Sequence, residues 1–224
     1  MTVIYLIRHG ETDWNVQGRW QGHLDIPLND IGYRQARLLA NRLVRDGVRF
    51  DAIYSSDLSR AYQTAWEIGA ALKVPVQLLP ALREIDTGLW SGLTTNEVQE
   101  RFPTEWEQLL QGVDLPRGGA ETMAALYQRV VTAVEAMVAQ HRGHTLAFVT
   151  HGGCIRVLLD HAENFHDHHT FGRYPHIGNT SVTILEIGYK HWRVKKVNDM
   201  RHLEAEHDSD LISAPPDDAE LPSL

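Results

Sequence analysis

Arg8-His9-Gly10-Glu11-Thr12 closes an apolar run near the start of the chain and sets a guanidinium directly beside an imidazole. Three other segments bring similar groups just after an extended run. Ser55-Ser56-Asp57 leads to Arg60 one helical turn on, Glu84 follows the extended piece Val74 to Leu78, and His151-Gly152-Gly153 follows Thr145 to Thr150. Each residue has a plain reading by itself, because histidines often pack and arginines are mostly solvated. For Arg8 and Arg60 that reading is a buried ion pair with Glu11 or Asp57. The joint placement points elsewhere. Two guanidiniums offer bidentate donors matched to phosphate oxygens at fixed charge. An imidazole beside them serves as nucleophile or as a further donor. Gly152 and Gly153 let backbone N–H groups approach an anion at a helix start. One carboxyl group can protonate a leaving oxygen. The set suits phosphoryl transfer without a metal, the arginines supplying the charge neutralisation that Mg²⁺ usually provides.

The elements that must position these groups are legible from hydrophobic pattern. Val3 to Ile7 reads as a strand buried on both faces. A turn-rich polar segment runs from Gly10 to about Asp30, longer than a simple connection. Gly32 to Arg45 carries Ala36, Leu39, Ala40 and Leu43 at helical spacing. Asp51 to Ser55 is a second strand, and Asp57 is an N-cap candidate for a helix over Leu58 to Leu72. Residues 80–118 read as an excursion lying over the sheet with one short helix near Thr94 to Arg101. Glu121 to His141 is a long amphipathic helix, Thr145 to Thr150 a strong strand, and Gly152 to Leu159 a helix, followed by a His-rich loop over 160–178. Val182 to Ile187 and Trp192 to Val197 flank Gly188-Tyr189 as a hairpin. This alternation predicts a three-layer α/β/α fold with a mostly parallel central sheet. Ligands in such sheets bind beyond the carboxyl ends of the strands, where the groups above cluster.

Composition narrows the field. The 224 residues are 43% hydrophobic and 22% charged, enough for a full core without disulfides or a structural metal. The single cysteine, Cys154, excludes an internal disulfide. Residues 203–224 hold seven of the 29 acidic side chains and none of the 21 basic ones, so they account for seven of the eight net negative charges. The body is nearly neutral, which argues against nucleic acid as a partner. The tail, with Pro215, Pro216 and Pro222, reads as a solvated, disordered segment. No apolar stretch is long enough for a membrane span, and the first residues lack a signal-peptide layout, so the expected location is cytoplasmic.

Four blocks together resemble the histidine phosphatase superfamily, the group that holds cofactor-dependent phosphoglycerate mutases and many small phosphatases. They are Arg8-His9-Gly10-Glu11-Thr12 with Asn15, Ser55 to Ala65, Leu82-Arg83-Glu84-Ile85-Asp86-Thr87-Gly88, and Val149-Thr150-His151-Gly152-Gly153. The resemblance spans residues 1–202, which are expected to form one catalytic domain of phosphoglycerate mutase-like fold. It implies that His9 is the nucleophile and becomes phosphohistidine. Arg8, Arg60 and His151 grip the phosphoryl oxygens, Asn15 adds a donor, and Gln21 and Gly22 touch substrate through backbone groups, as Gly152 does at its helix start. Glu84 is the general acid to the leaving oxygen and then the base for water. His9 must attack as neutral imidazole, held in one tautomer by a backbone carbonyl and kept unprotonated by the two arginines. Glu84 must begin with a proton, which a bound phosphate dianion favours.

A mutase of this kind needs extra cations for a second phosphate after the acid. Between residues 85 and 128 the arginines are Arg101 and Arg117, which are not adjacent, and no lysine occurs between Lys73 and Lys190. The excursion carries Trp90, Phe102 and Trp106 instead. The expectation is a phosphomonoesterase acting on a small phosphorylated metabolite, with no cofactor and no metal, as a monomer or homodimer. Phosphoserine, α-ribazole phosphate and phosphoglycerate derivatives are candidate substrates. The alternatives are a phosphoglycerate mutase and a non-catalytic phospho-ligand sensor. Arg83 and Arg117 either hold a substrate carboxylate or remain solvated. His161, His166, His168, His169 and His176 read as a polar loop or lid rather than a metal site. Asn179-Thr180-Ser181 contacts substrate or starts a strand. His202 reads as a surface residue, with reach toward the pocket as the alternative, and Cys154 as core packing.

Overall fold

The computed structural model describes residues 1–165, 176–189 and 191–204. Six strands, β1 (Thr2–Arg8), β2 (Ala52–Ser55), β3 (Val76–Leu78), β4 (Thr145–Thr150), β5 (Val182–Ile187) and β6 (Trp192–Asp199), form one sheet in the order β3-β2-β4-β1-β5-β6. The first four of that order run parallel, and the β5-β6 hairpin adds antiparallel to β1. The sheet is therefore mixed and mostly parallel, as the alternation of elements predicts.

Helices cover both faces. On one side α2 (Asp30–Arg45) and α3 (Ser59–Leu72) bury Leu39, Leu43, Ala65 and Ile68 against Ile7 and Ile53. On the other, α6 (Met123–Gln140) and α7 (Gly152–Ala162) bury Leu126, Val130 and Leu158 against Ile4, Leu6 and Phe148. Each of the leucine, isoleucine, valine and phenylalanine side chains contributes about 1.5–3 kcal/mol by leaving water. The caps follow from sequence: the Asn29 side chain accepts from Gly32 N ahead of α2, and the Thr122 hydroxyl from Ala125 N ahead of α6.

Several boundaries differ from expectation. The polar segment after β1 contains a one-turn helix, α1 (Asp13–Val16), closed by reciprocal bonds between Thr12 and Asn15. The excursion holds two helices, α4 (Thr95–Arg101) and α5 (Pro103–Leu110), because Pro103 occupies the first turn of a new helix, where its missing N–H costs nothing. Helix α7 runs three residues past Leu159, since Asp160 and Ala162 continue its buried stripe. A final short helix, α8 (Arg201–Glu204), follows β6. The acidic tail expected over 203–224 lies outside the described residues except for Leu203 and Glu204. His166, His168 and His169 lie outside them too. Among the described residues no helix is long and apolar enough to cross a membrane.

Candidate active site

The parallel register builds the site. Arg8 of β1 pairs with Thr150 of β4, and Val149 of β4 pairs with Ser55 of β2. His9 N continues the ladder to Thr150 O at 2.9 Å, and Ser56 N to Val149 O at 3.0 Å. The residues that follow each strand, His9, Ser56 and His151, therefore emerge at one edge. Asp57 does not cap α3. Leu58 holds the cap position, and Asp25 does the capping from the loop after β1, with its two oxygens accepting from Ser59 N and Ser59 Oγ at 2.7 Å each.

His9 is 3% exposed and its Nδ1 lies 2.7 Å from Gly10 O. Since a carbonyl only accepts, Nδ1 carries the hydrogen and Nε2 keeps its lone pair. Burial first, then the charges of Arg60 and Arg8, hold the His9 imidazole well below its ordinary pKa. The His151 ring lies 5.1 Å from that of His9, centroid to centroid, is fully buried, and is depressed in the same way. His151 Nε2 sits 3.0 Å from Ser56 Oγ, which also receives Leu58 N–H. Ser56 Oγ can give its hydrogen to Nε2, in which case His151 carries its own on Nδ1.

Arg60 is 1% exposed and donates to Leu24 O at 2.8 Å and to Gly22 O at 2.9 Å, fixing the loop after α1. Arg8 Nη1 donates to Ile177 O at 2.5 Å and lies 3.4 Å from His176 Nε2. Burial lowers both guanidiniums to about 10, so both stay charged at neutral pH. Neither forms the ion pair with Glu11 or Asp57 that was the alternative: Glu11 accepts from Asn29, and Asp57 takes Arg83 in a two-pronged bond at 2.7 and 2.5 Å. Arg8 Nε, Arg60 Nε, His151 Nδ1 and Gln21 Oε1 are buried without a hydrogen-bonding partner among the described residues. Unpaired buried polar atoms are costly, and the two guanidinium Nε–H groups are donors, which fits an anion.

Glu84 stands at the same place. Its Oε2 accepts from Gly153 N at 3.1 Å and its Oε1 from Ile85 N at 3.0 Å. A Cβ on Gly153 would lie 2.3 Å from Glu84 Oε1, so only glycine lets the carboxylate reach the start of α7. The Gly153 N–H is therefore given to Glu84 rather than to an anion. Gly152 sits between the acid and Arg8: a Cβ there would be 3.9 Å from Arg8 Nε and 4.0 Å from Glu84 Oε2.

The supporting residues follow. Asn15 Oδ1 accepts from Thr12 N, Thr12 Oγ1 and Asn179 Nδ2, which leaves its amide hydrogens as the group to offer a ligand. Asn179 Nδ2 also donates to His9 O, and Thr180 N to Arg8 O and His9 O, so this triplet props the end of β1 as well as leading into β5. Three expectations are corrected. Arg117 is neither solvated nor available to substrate, because it is 3% exposed and bonded to Asp114 Oδ1 and Leu115 O. Arg83 is committed to Asp57. Trp90, with Phe102 and Trp106 against it, forms a small core of the excursion. His202 is buried, not superficial, with Nε2 2.8 Å from Thr180 Oγ1, and burial lowers its pKa to about 4. Cys154 packs in the core as expected, its thiol pushed up to about 12 by burial. His161 and His176 have different partners, Tyr127 with Trp192 for the first and Arg8 for the second.

Sequence reasoning placed Ser56 at the site without a role and missed Glu121 and Arg129 as parts of it. The available signal for Arg129 is a cation three residues after Leu126, on the inward stripe of a helix otherwise lined there by Val130 and Val134.

Residues 4–200 match the family model of the histidine phosphatase superfamily (branch 1). The chain is 37% identical over 207 residues to phosphoglycerate mutase-like protein 4 of Arabidopsis thaliana, covering 90% of this chain and 86% of that protein. It is 39% identical over 161 residues to phosphoserine phosphatase 1 of Hydrogenobacter thermophilus, covering 70% of this chain and 74% of that protein. Among solved structures, a phosphoserine phosphatase mutant from Entamoeba histolytica in complex with phosphoserine superposes with a TM-score of 0.79 at 29% identity. That match covers 91% of this chain and all of the other.

Proposed function

The chain belongs to branch 1 of the histidine phosphatase superfamily and is a phosphomonoesterase of that type, and on this premise we propose that it hydrolyses a small phosphorylated metabolite without a metal, through a phosphohistidine on His9. The observation that carries the proposal is the His9 imidazole, neutral, locked by Gly10 O with Nε2 free, beside the buried guanidinium of Arg60 and the half-buried one of Arg8.

The steps follow from these groups. His9 Nε2 attacks phosphorus with its lone pair, and the bond from phosphorus to the ester oxygen breaks. The electron pair leaves on that oxygen, which takes the proton held by Glu84. Arg8, Arg60 and His151 Nδ1–H hold the three phosphoryl oxygens throughout, where fixed donors in a dry site stabilise the developing charge. The Glu84 carboxylate then takes a proton from water as the water oxygen attacks phosphorus. The P–N bond breaks, phosphate leaves, and imidazole and acid return to their starting forms.

The surroundings of Glu84 support transfer to water over return to a phosphorylated acid. Of the two arginines in the excursion after Glu84, Arg117 is consumed by Asp114 and Leu115, and Arg101 lies in the last turn of α4. A sensor role requires neither a nucleophile nor an acid, and both are present. Phosphoserine is the first substrate to try, because relatives in sequence and structure are named for it.

Hydrolysis of p-nitrophenyl phosphate in excess EDTA tests the proposal. Activity should persist for the native protein and be lost in His9→Ala, and acid-labile phosphate should be trapped on His9. Loss of turnover in EDTA that Mg²⁺ or Zn²⁺ restores, or full turnover by His9→Ala, overturns it. A panel of phosphorylated metabolites, headed by phosphoserine, then ranks the substrates.

A further inference from the structure

The segment that bears Glu84 leaves the sheet after β3 and is not itself strand or α-helix at positions 83–87. Such a segment has backbone carbonyls that no ladder satisfies, and here side chains from elsewhere satisfy four in a row. Ala81 O accepts from Arg129 Nη1 at 2.8 Å. Leu82 O accepts from Thr150 Oγ1 at 2.7 Å. Arg83 O accepts from Arg129 Nη1 at 2.7 Å, and Glu84 O from Arg129 Nη2 at 2.7 Å and from His23 Nε2 at 2.8 Å.

Arg129 is thus the centre of a clamp. The remaining face of its fork meets Glu121, with Nε at 2.7 Å from Oε1 and Nη2 at 2.9 Å from Oε2. All five guanidinium hydrogens are used, three on the segment before and at Glu84 and two on the carboxylate that orients the fork. Glu121 also reaches the far side of the acid: its Oε2 accepts from Asp86 N at 3.0 Å, and its own N–H donates to Asp86 O at 3.2 Å. One ion pair on and beside the rigid helix α6 therefore fixes the backbone on both sides of Glu84, while the Glu84 carboxylate faces the start of α7. A planar fork with five fixed donors does this; an ammonium does not.

We propose that Arg129, oriented by Glu121, is the positioning residue that sets the Glu84 carboxyl at the leaving oxygen. The inference rests on Glu84 being the general acid. Arg129 touches neither phosphate nor leaving group in this role. It acts only through the placement of the acid, so its effect must follow how much the leaving oxygen needs a proton.

The test compares kcat/KM for phenyl phosphate, whose phenoxide leaves poorly, with that for 2,4-dinitrophenyl phosphate, whose phenoxide needs no acid. Arg129→Gln and Arg129→Lys should lose about 10- to 100-fold on the first and no more than about threefold on the second. Melting temperature and circular dichroism report folding. Glu121→Gln keeps shape but turns one acceptor into a donor, and should show the same selectivity if either arginine variant fails to fold. Equal losses on both substrates in folded variants, or no loss on phenyl phosphate, overturn the inference. Glu84→Gln is the control for the reading beneath it. If Glu84→Gln is selective and the Arg129 variants are not, the positioning inference alone falls. If Glu84→Gln shows no selectivity, the assignment of the acid falls and takes the inference with it.

Discussion

The rings of His9 and His151 lie 5.1 Å apart, tilted by 58°, and both are held neutral by burial first and then by the charges of Arg60 and Arg8. Two imidazoles that close could not share the site as cations. Their different bonds divide their work: Gly10 O holds the hydrogen of His9 on Nδ1 and frees Nε2, whereas His151 meets Ser56 Oγ through Nε2 and keeps Nδ1 without a partner among the described residues.

This pairing predicts an acid-sensitive fold. The pKa values of His9 and His151 are depressed in the folded state, and that of His202 falls to about 4. The unfolded chain then binds more protons than the native one below the ordinary histidine range, so stability falls as pH drops through about 6.5. Each of the three residues costs about 1.4 kcal/mol per pH unit below that point, down to its own folded value. Urea unfolding at pH 7.5, 6.0 and 5.0 should show a steep loss, and His202→Asn should make it shallower. A flat profile between pH 7.5 and 5.0 contradicts the neutral assignment.

Arg60→Lys should damage every substrate alike. The fork of Arg60 holds Gly22 O and Leu24 O with one edge and leaves Nε for the ligand, and an ammonium cannot span both tasks. A loss of about 100-fold in kcat/KM is expected on phenyl and dinitrophenyl phosphates equally, because phosphoryl charge develops with either leaving group. Steady-state kinetics on the two esters checks this, and a loss confined to one of them counts against it.

Gly153→Ala addresses the acid from the other side. The added methyl would stand 2.3 Å from Glu84 Oε1 and must push the carboxylate away from α7. The kcat/KM for phenyl phosphate, which reports only the step that loads His9, should fall by about 100-fold, with that for dinitrophenyl phosphate largely spared. Wild-type rates on phenyl phosphate would mean that the carboxylate finds an equally good position.

Cys154 should be chemically silent. Its thiol is fully buried, is pushed up to about 12, and faces Leu82 O and Arg83 O. Iodoacetamide at pH 8 should leave the native protein unlabelled by mass spectrometry and fully active, with labelling only after denaturation. Rapid native labelling would show that the core around α7 opens.

The sequence alone determined the kinds of chemical group and the order in which the fold presents them. Arg8 and His9 are covalent neighbours, and His151 follows an apolar strand directly. The period of the apolar residues said which stretches are strands and which are helices, so the common edge could be inferred. Glu84 could be placed after the third extended run, but what fixes it there was not legible, since it lies in an irregular segment. What only the tertiary structure decided is which polar groups are spent on each other. Arg83 is committed to Asp57, 26 residues away, and Arg129 to carbonyls as many as 48 residues away. Arg117 is buried with Asp114, and His202 is packed beneath Thr180, 22 residues before it. Hydrophobic periodicity reports the face a residue occupies, not the distance between two polar atoms on different elements. A guanidinium free to bind phosphate and one locked into the scaffold therefore look alike in sequence, and only the folded geometry separates Arg60 from Arg129.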